Sequence, residues 1–367
     1  MLVVAGTRPE CIKLAPLILA LAGHPTLSVV VVNSGQHREA VARTYASFGI
    51  RCDIELPPLP ALPNLAAACA HLRRSLAAVV RRLAPETVIV QGDTLTAYAG
   101  ARAGVDAGCP VTHVEAGLRT ESVRDPFPEE WFRRRIARSA DLHFAPSQSA
   151  VDNLLREGIP AARIHRVGNT GIDSLRALLE EAKKRPSLAV APKPRILVTL
   201  HRRENWDAAT EVVCTALIEL ARRRPDLSVL FPVHPNPRIA RHVRRCLGTH
   251  PAFELAAPLP YPEFIQRASE AALIISDSGG IQEEAPHLGV PVLVPRTNTE
   301  RPESIAAGFV RLVPIDVDAI VGAALEMLAA PRRAPLPFDD HAPFGAGDAA
   351  RRIVGVLERP LVAAGWA

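Results

Sequence analysis

The sequence predicts an α/β fold of doubly wound parallel sheets arranged in two domains. Three observations carry this. Short β-branched runs alternate with longer Ala/Leu/Arg stretches of helical spacing, the rhythm of strands joined by crossover helices. The runs are continuously apolar, as strands covered by helices on both faces must be. A length of 367 residues is enough for about two domains, each with a full core.

In chain order, apolar runs at 2–5, 28–33, 87–91, 111–114 and 142–145 are read as strands of the first domain. Those at 196–200, 228–233, 273–276, 292–294 and 310–313 are read as strands of the second. Helical periodicity marks 65–83, 150–157 and 208–223. A composition break at 168–173, followed by the polar, Pro-containing stretch 180–194, separates the two sets, which places the domains at 1–168 and 169–348. The stretch 348–358, between a Pro/Gly segment and Pro360, reads as a last helix that can pack on either half. Two such domains facing each other would leave a cleft.

Composition excludes several classes. Hydrophobic residues are 48% and charged residues 22% of the chain, which is globular and not disordered usage. Aromatics are only 4%, so the core is built mainly from Ala, Val, Leu and Ile. No apolar run reaches the roughly 18–20 residues of a bilayer span, and no signal-type segment opens the chain, so a cytoplasmic protein without a membrane partner is expected. Net charge is +5, but the basic residues are nearly all Arg, with lysine only at Lys13, Lys183, Lys184 and Lys193. That bias is read as compositional. The runs at 222–224 and at Arg241, Arg244 and Arg245 lack interleaved aromatics, so nucleic acid is not an expected partner. Six cysteines show no C-x-x-C pair, which points to free thiols and away from a zinc or redox site.

In open parallel sheets ligands collect beyond the carboxyl ends of the strands. After the first run come Gly6-Thr7-Arg8-Pro9-Glu10 and Cys11-Ile12-Lys13. A glycine turn with two cations at a helix start suits an anion; an ordinary strand-to-helix turn is the alternative. Ser34-Gly35-Gln36-His37-Arg38-Glu39 follows the second run, and pattern alone gives its histidine no role. Gln91-Gly92-Asp93-Thr94 follows the third, and Glu115 stands just past the fourth in His113-Val114-Glu115-Ala116-Gly117. Either carboxylate alone serves equally well as a cap or an ion-pair partner; both together favour acid/base chemistry. Phe127-Pro128-Glu129-Glu130-Trp131-Phe132-Arg133 adds Glu129 with Arg133 one helical turn on, which by itself reads as a surface ion pair.

The second half carries His201-Arg202-Arg203-Glu204-Asn205 and His234-Pro235-Asn236-Pro237 after its first two strands. Most specific is Ser276-Asp277-Ser278-Gly279-Gly280-Ile281-Gln282-Glu283-Glu284. A Ser-Gly-Gly turn opening a helix lets Ser278 and the amides of Gly279 and Gly280 cradle a phosphate on the positive end of the dipole. One of Glu283 and Glu284 can then accept hydrogen bonds from ribose hydroxyls. The loop from Arg296 to Glu303 adds cations suited to a diphosphate.

The blocks GTRPECIK, GQHRE, QGDT, HVEAGLRT, PFPEEWFRR, GNTGID, TLHRREN, PVHPNP, DSGGIQEEAPHLG, TERPE and PFGAGD run in order from residue 6 to about 348. With them the chain resembles the UDP-N-acetylglucosamine 2-epimerases of the non-hydrolysing bacterial type. The resemblance implies a GT-B-like fold of two Rossmann-type domains facing a central cleft, the C-terminal helix, 349–367, completing the first. It implies reversible conversion of UDP-N-acetylglucosamine to UDP-N-acetylmannosamine through UDP elimination and re-addition, with no nicotinamide or metal cofactor. It makes Asp93, Glu115 and Glu129 the acid/base carboxylates, with Arg133 and His201 in support. Arg8, Lys13, Ser278, Gly279, Gly280, Glu284 and Arg301 resemble UDP-binding positions. Gln36, Arg202 and His234 resemble contributors to an activator site for a second UDP-N-acetylglucosamine, and a homodimer is implied. Phe132 departs from the Asn usual in the family's PEE-x-N-R block. A hydrolysing relative, a GT-B glycosyltransferase and a silent nucleotide-sugar sensor are the competing readings.

Overall fold

The structure, a computed structural model, describes residues 1–120, 122–123, 126–183, 194–200, 208–234 and 236–359. In chain order its elements begin with β1 (Leu2–Ala5), α1 (Arg8–Ala22), β2 (Val30–Asn33), α2 (Arg38–Ser47), β3 (Ile54–Glu55), α3 (Leu65–Leu83) and β4 (Val88–Gln91). There follow α4 (Leu95–Asp106), β5 (Val111–Val114), α5 (Glu129–Ala137), β6 (Leu142–Ala145), α6 (Gln148–Arg156), β7 (Ile164–Arg166) and α7 (Thr170–Lys183). The second half has β8 (Arg195–Thr199), α8 (Ala208–Arg223), β9 (Ser228–Pro232), α9 (Pro237–Leu247), β10 (Phe253–Ala256) and α10 (Tyr261–Glu270). It continues through β11 (Leu273–Ser276), α11 (Gly279–Leu288), β12 (Val292–Pro295), α12 (Pro302–Ala306), β13 (Val310–Val313) and α13 (Val317–Ala329) to α14 (Ala349–Leu357).

Two compact units result: Met1–Ala177 with the segment from Asp339 onward, and Leu178–Phe338. In the first, a seven-stranded sheet runs β3-β2-β1-β4-β5-β6-β7, parallel at each pairing. In the second, six parallel strands run β10-β9-β8-β11-β12-β13. Both are doubly wound, and the strand order reverses between β1 and β4 in one and between β8 and β11 in the other. Those reversals are the places where such sheets open a crevice for a ligand.

The central strands are apolar throughout because both faces are covered. Val3 and Ala5 of β1 join a core with Leu14 and Ile18 of α1, while Leu2 and Val4 join another with Leu72, Leu76 and Val80 of α3. In the second unit Ile196, Val198, Leu273 and Ile275 pack with Leu217 and Leu220 of α8. Side chains that alternate between two cores demand hydrophobic residues at every position.

The units divide at Ala177 and return at Asp339, nine residues or so from the breaks at 168 and 348 that composition suggests. The reason is local. The Asp173 carboxylate of α7 accepts the Ala349 and Ala350 amides at 3.2 and 2.8 Å, so it caps α14, and Ile353 and Leu357 of α14 enter the core of α1. The first turns of α7 and the final helix therefore fold with the first sheet. Residues 360–367 lie outside the described residues.

The strands expected from sequence are present with ends shifted by one or two residues, and three more exist: β3, β7 and β10. Each is an edge strand. β3 is only Ile54-Glu55, and β7 reads Ile-His-Arg. A strand covered less completely tolerates polar residues, so it leaves no continuous apolar run to find.

Candidate active site

On the first unit, candidate site side chains gather where β1, β4 and β5 end. Glu115 follows β5 with φ at 61°, a left-handed conformation that costs a non-glycine residue on the order of 1 kcal/mol and tends to persist at functional positions. Its carboxylate forms an ion pair with Lys13 of α1 and accepts a hydrogen bond from the Gln91 amide at the end of β4. Asn169 donates to the same carboxylate at 3.3 Å. Three segments far apart in sequence thus converge on one half-buried acid.

Asp93 follows β4. Arg133 of α5 donates to it from Nε at 2.7 Å, and a second guanidinium nitrogen of Arg133 also lies against the same oxygen. Arg133 further bonds Glu130 at 3.1 Å. Glu130 has no exposed surface and accepts in addition from Arg134 at 2.9 Å and from the Thr120 amide at 3.2 Å. α5 is accordingly not a solvated helix: Phe132, Arg133 and Ile136 are buried. Phe132 sits 5.2 Å from Tyr98 and 5.5 Å from Trp131, so the residue that departs from the family block fills an aromatic cluster while Arg133 keeps its polar partners. Glu129, half-buried, begins α5 one turn before Arg133.

The β1–α1 turn is braced from inside. Glu10, fully buried, accepts the Gly6 amide at 3.0 Å and the Thr94 hydroxyl at 2.7 Å, so it joins the turn carrying Arg8 to the turn carrying Asp93. Burial raises its pKa to about 7 against the opposing pull of these hydrogen bonds. Arg8 opens α1 and is half-buried. Gln36 accepts the Thr96 amide and hydroxyl at 3.1 and 2.8 Å, which places it against the start of α4.

On the second unit, Ser278 is the N-cap of α11, and its side chain makes no capping bond. Among the described residues, the first amides of that helix are thus left for another acceptor. Arg301 lies directly over Gly279: a Cβ there would be 2.3 Å from the guanidinium carbon. Glu283 holds Arg301 at 2.5 Å and Glu300 at 3.3 Å. Glu284 accepts the Tyr261 hydroxyl at 2.7 Å. His234 follows β9 and accepts the Asn236 amide at 3.1 Å. His201 and Arg202 lie outside the described residues.

The sequence pattern alone assigns no role to Gln91, Asn169, Glu130 and His113, although each stands inside one of the blocks that carry the resemblance. For Glu130 the signal was available: a glutamate followed by arginines at i+3 and i+4 on a helix with apolar neighbours can bury its charge between them. Among the described residues no group of three or more His, Cys, Asp or Glu side chains is placed to hold a metal ion. Nor is any helix there long and apolar enough to cross a membrane.

Carboxylates fixed at adjacent strand ends beside cations, and a glycine-opened helix start under an arginine, are the equipment of an acid/base enzyme for an anionic nucleotide ligand. The comparisons give that class its family. A family model described as UDP-N-acetylglucosamine 2-epimerase matches residues 19–358. The UDP-N-acetylglucosamine 2-epimerase of Salmonella typhimurium is 40% identical, over 97% of this chain and 98% of its own. The crystal structure of UDP-GlcNAc 2-epimerase from Neisseria meningitidis bound to UDP-GlcNAc superposes with a TM-score of 0.91 at 36% identity, covering 97% of this chain and 99% of that one. The Methanocaldococcus jannaschii UDP-GlcNAc 2-epimerase in complex with UDP-GlcNAc and UDP gives 0.87 at 30% identity, with 97% and 99% covered. The chain belongs to the UDP-N-acetylglucosamine 2-epimerase family, with its GT-B-like pair of Rossmann-type units, and is an isomerase.

Proposed function

We propose that the protein interconverts UDP-N-acetylglucosamine and UDP-N-acetylmannosamine without net hydrolysis, by eliminating UDP and adding it back. The observation that carries the reading is the pair of carboxylates at the β4 and β5 ends, Asp93 and Glu115, each fixed by a cationic side chain.

The chemistry asks for such a pair. The C2 proton of the sugar has no adjacent carbonyl, so simple removal and return is strongly uphill. Elimination lowers the cost: a base takes the C2 proton, the C1–O bond to UDP breaks, and a C1=C2 double bond forms in 2-acetamidoglucal. A proton then enters C2 from the opposite face while a UDP oxygen re-forms the bond to C1. Asp93, Glu115 and Glu129 are assigned to these transfers, with Arg133 and His201 in support. Arg8, Lys13, Ser278, Gly279, Gly280 and Arg301 are assigned to the UDP phosphates, and Glu284 to the ribose. The uncapped start of α11 under Arg301 supports that placement, because free amides and a cation favour a diphosphate. Gln36, Arg202 and His234 are assigned to an activator site for a second UDP-N-acetylglucosamine, in a homodimer. All six cysteines are free, which suits the reducing cytoplasm.

The test is incubation with UDP-N-acetylglucosamine in D2O, followed by NMR at C2. The reading expects deuterium at C2 in both UDP-sugars and no build-up of free UDP. Accumulating UDP and N-acetylmannosamine would assign a hydrolysing enzyme instead, and no change without an added acceptor would assign a glycosyltransferase or a sensor.

A further inference from the structure

β5 is buried along its whole length, yet its third residue is His113, an imidazole with 1% of its surface exposed. It stands between Val90 of β4 and His143 of β6 in the sheet register. A polar ring in such a layer needs a hydrogen-bond partner, and Nε2 has one: the carbonyl oxygen of Gly92, 2.8 Å away. A carbonyl only accepts, so Nε2 carries the hydrogen. Nδ1 is buried and has no hydrogen-bond partner among the described residues, so a proton added there would find none of them to bond. Burial, assisted by Arg119 and Arg133, brings the His113 pKa down to about 4, and the ring is neutral in the working range.

Gly92 is held from both sides by the same strand. Its amide donates to the Val114 carbonyl at 3.0 Å, its carbonyl accepts from His113, and its φ of 68° fixes the turn. On one side of it Gln91 donates to Glu115; on the other Asp93 accepts from Arg133. The turn is therefore the mechanical link between both carboxylates.

We propose that His113 is a positioning residue: an Nε2–H donor that clamps the Gln91-Gly92-Asp93 turn and so sets Asp93 and the Gln91 support of Glu115 in place. This rests on the epimerase reading for its kinetic readout, though not for its structural one.

Three variants test it. His113→Leu keeps the volume and loses the donor. His113→Gln carries an amide N–H about as far out as Nε2, and His113→Asn carries one too short to reach. For Leu and Asn, kcat for C2 exchange should fall by about 10-fold or more with KM changed by less than about 3-fold, the signature of a group acting in the transition state and not in binding. Gln should return kcat to within about 3-fold of the parent. Amide exchange at Gly92 should speed up by about 10-fold or more in Leu and Asn, and stay near parental in Gln, as a local opening would give. The pH profile should keep its shape in every variant. The proposal is overturned if Asn or Leu keeps the parental kcat, if Gln is as slow as Asn, if Gly92 exchange is unchanged, or if a limb of the pH profile disappears. Should Leu fail to fold, the Gln and Asn pair decides alone. If the parent shows no C2 exchange, the epimerase reading fails by itself, and the Gly92 amide still decides for or against the clamp.

Discussion

Arg133 joins Asp93 to Glu130 with a single guanidinium, Nε at 2.7 Å from the first carboxylate and a terminal nitrogen at 3.1 Å from the second. One of these acids follows a strand of the first sheet, and the other is buried in α5. The planar fork makes the bridge, because its donors point in fixed, diverging directions.

Arg133→Lys should therefore break the bridge while keeping the charge. A lysine ammonium is a point donor that can serve one carboxylate but not both, leaving Asp93 or Glu130 to find a new position. We expect the C2 exchange rate to fall about 10- to 100-fold while UDP affinity, measured by calorimetry, stays near parental. An exchange rate within about 2-fold of the parent would mean the bridge has no catalytic use.

Glu130 and Glu157 offer a contrast in stability. Glu130 is completely buried and takes hydrogen bonds from Arg133, Arg134 and the Thr120 amide. Glu157 is partly exposed, pairing with Arg119 at 2.8 Å. Removing one partner of a buried ion cluster strands the others, so Glu130→Gln should cost about 3 kcal/mol in urea unfolding, against about 1 kcal/mol or less for Glu157→Gln. Similar losses at the two positions would contradict the hub role of Glu130.

How much of this was legible follows from where each piece sits. The strand-end carboxylates were readable because an α/β sheet puts its site at the carboxyl ends, and Gln91-Gly92-Asp93 directly follows an apolar run. Their partners were not. Lys13 and Glu115 are 102 residues apart, Asp93 and Arg133 40, and Glu115 and Asn169 54; only the folded chain brings them together. Local spacing points to Glu129 as the acid near Arg133, whereas the structure adds Asp93 and Glu130. The edge strands β3 and β10 were hidden for a related reason: Ile54-Glu55 and Phe-Glu-Leu-Ala carry polar residues that the better-covered strands exclude. α14 was legible as a helix, but its docking depends on Asp173, whose capping of Ala349 spans 176 residues.

Glu10 predicts a pH dependence of stability. Its folded pKa is raised from 4.5 to about 7, chiefly by burial, so between those values the native protein holds a proton that the unfolded chain has released. Stability from this group is full below pH 4.5 and is lost as pH rises through about 7, a loss of at most about 3 kcal/mol. Glu10→Gln can keep both contacts, its carbonyl accepting from Gly6 and its amide donating to Thr94, without the titration. Urea midpoints at about pH 5 and about pH 8 should separate for the parent and converge for the variant, relative to each other, by most of that amount. Equal pH slopes in the two proteins would rule the assignment out.

Gly279 and Gly280 adjoin at the start of α11 but meet different surroundings, and that difference separates packing from ligand approach. A Cβ on Gly279 would fall 2.3 Å from Cζ of Arg301, whose guanidinium is pinned by Glu283 and Glu300 and cannot swing aside freely. Gly279→Ala should therefore lower stability and displace the arginine as well as weaken UDP binding. A Cβ on Gly280 would find its nearest neighbour, Ser278 Oγ, at 3.9 Å, ordinary contact distance, and alanine is the better helix former by up to about 1 kcal/mol. Gly280→Ala should thus be as stable as the parent or more so. If a diphosphate sits on the first amides of α11, the added methyl still blocks its approach, and UDP affinity should drop by about 10-fold or more, a cost of about 1.4 kcal/mol. Calorimetry with UDP, beside thermal unfolding of both variants, reads the two effects separately. A Gly280→Ala protein that is stable and binds UDP as tightly as the parent would show that the nucleotide phosphates do not rest on this helix.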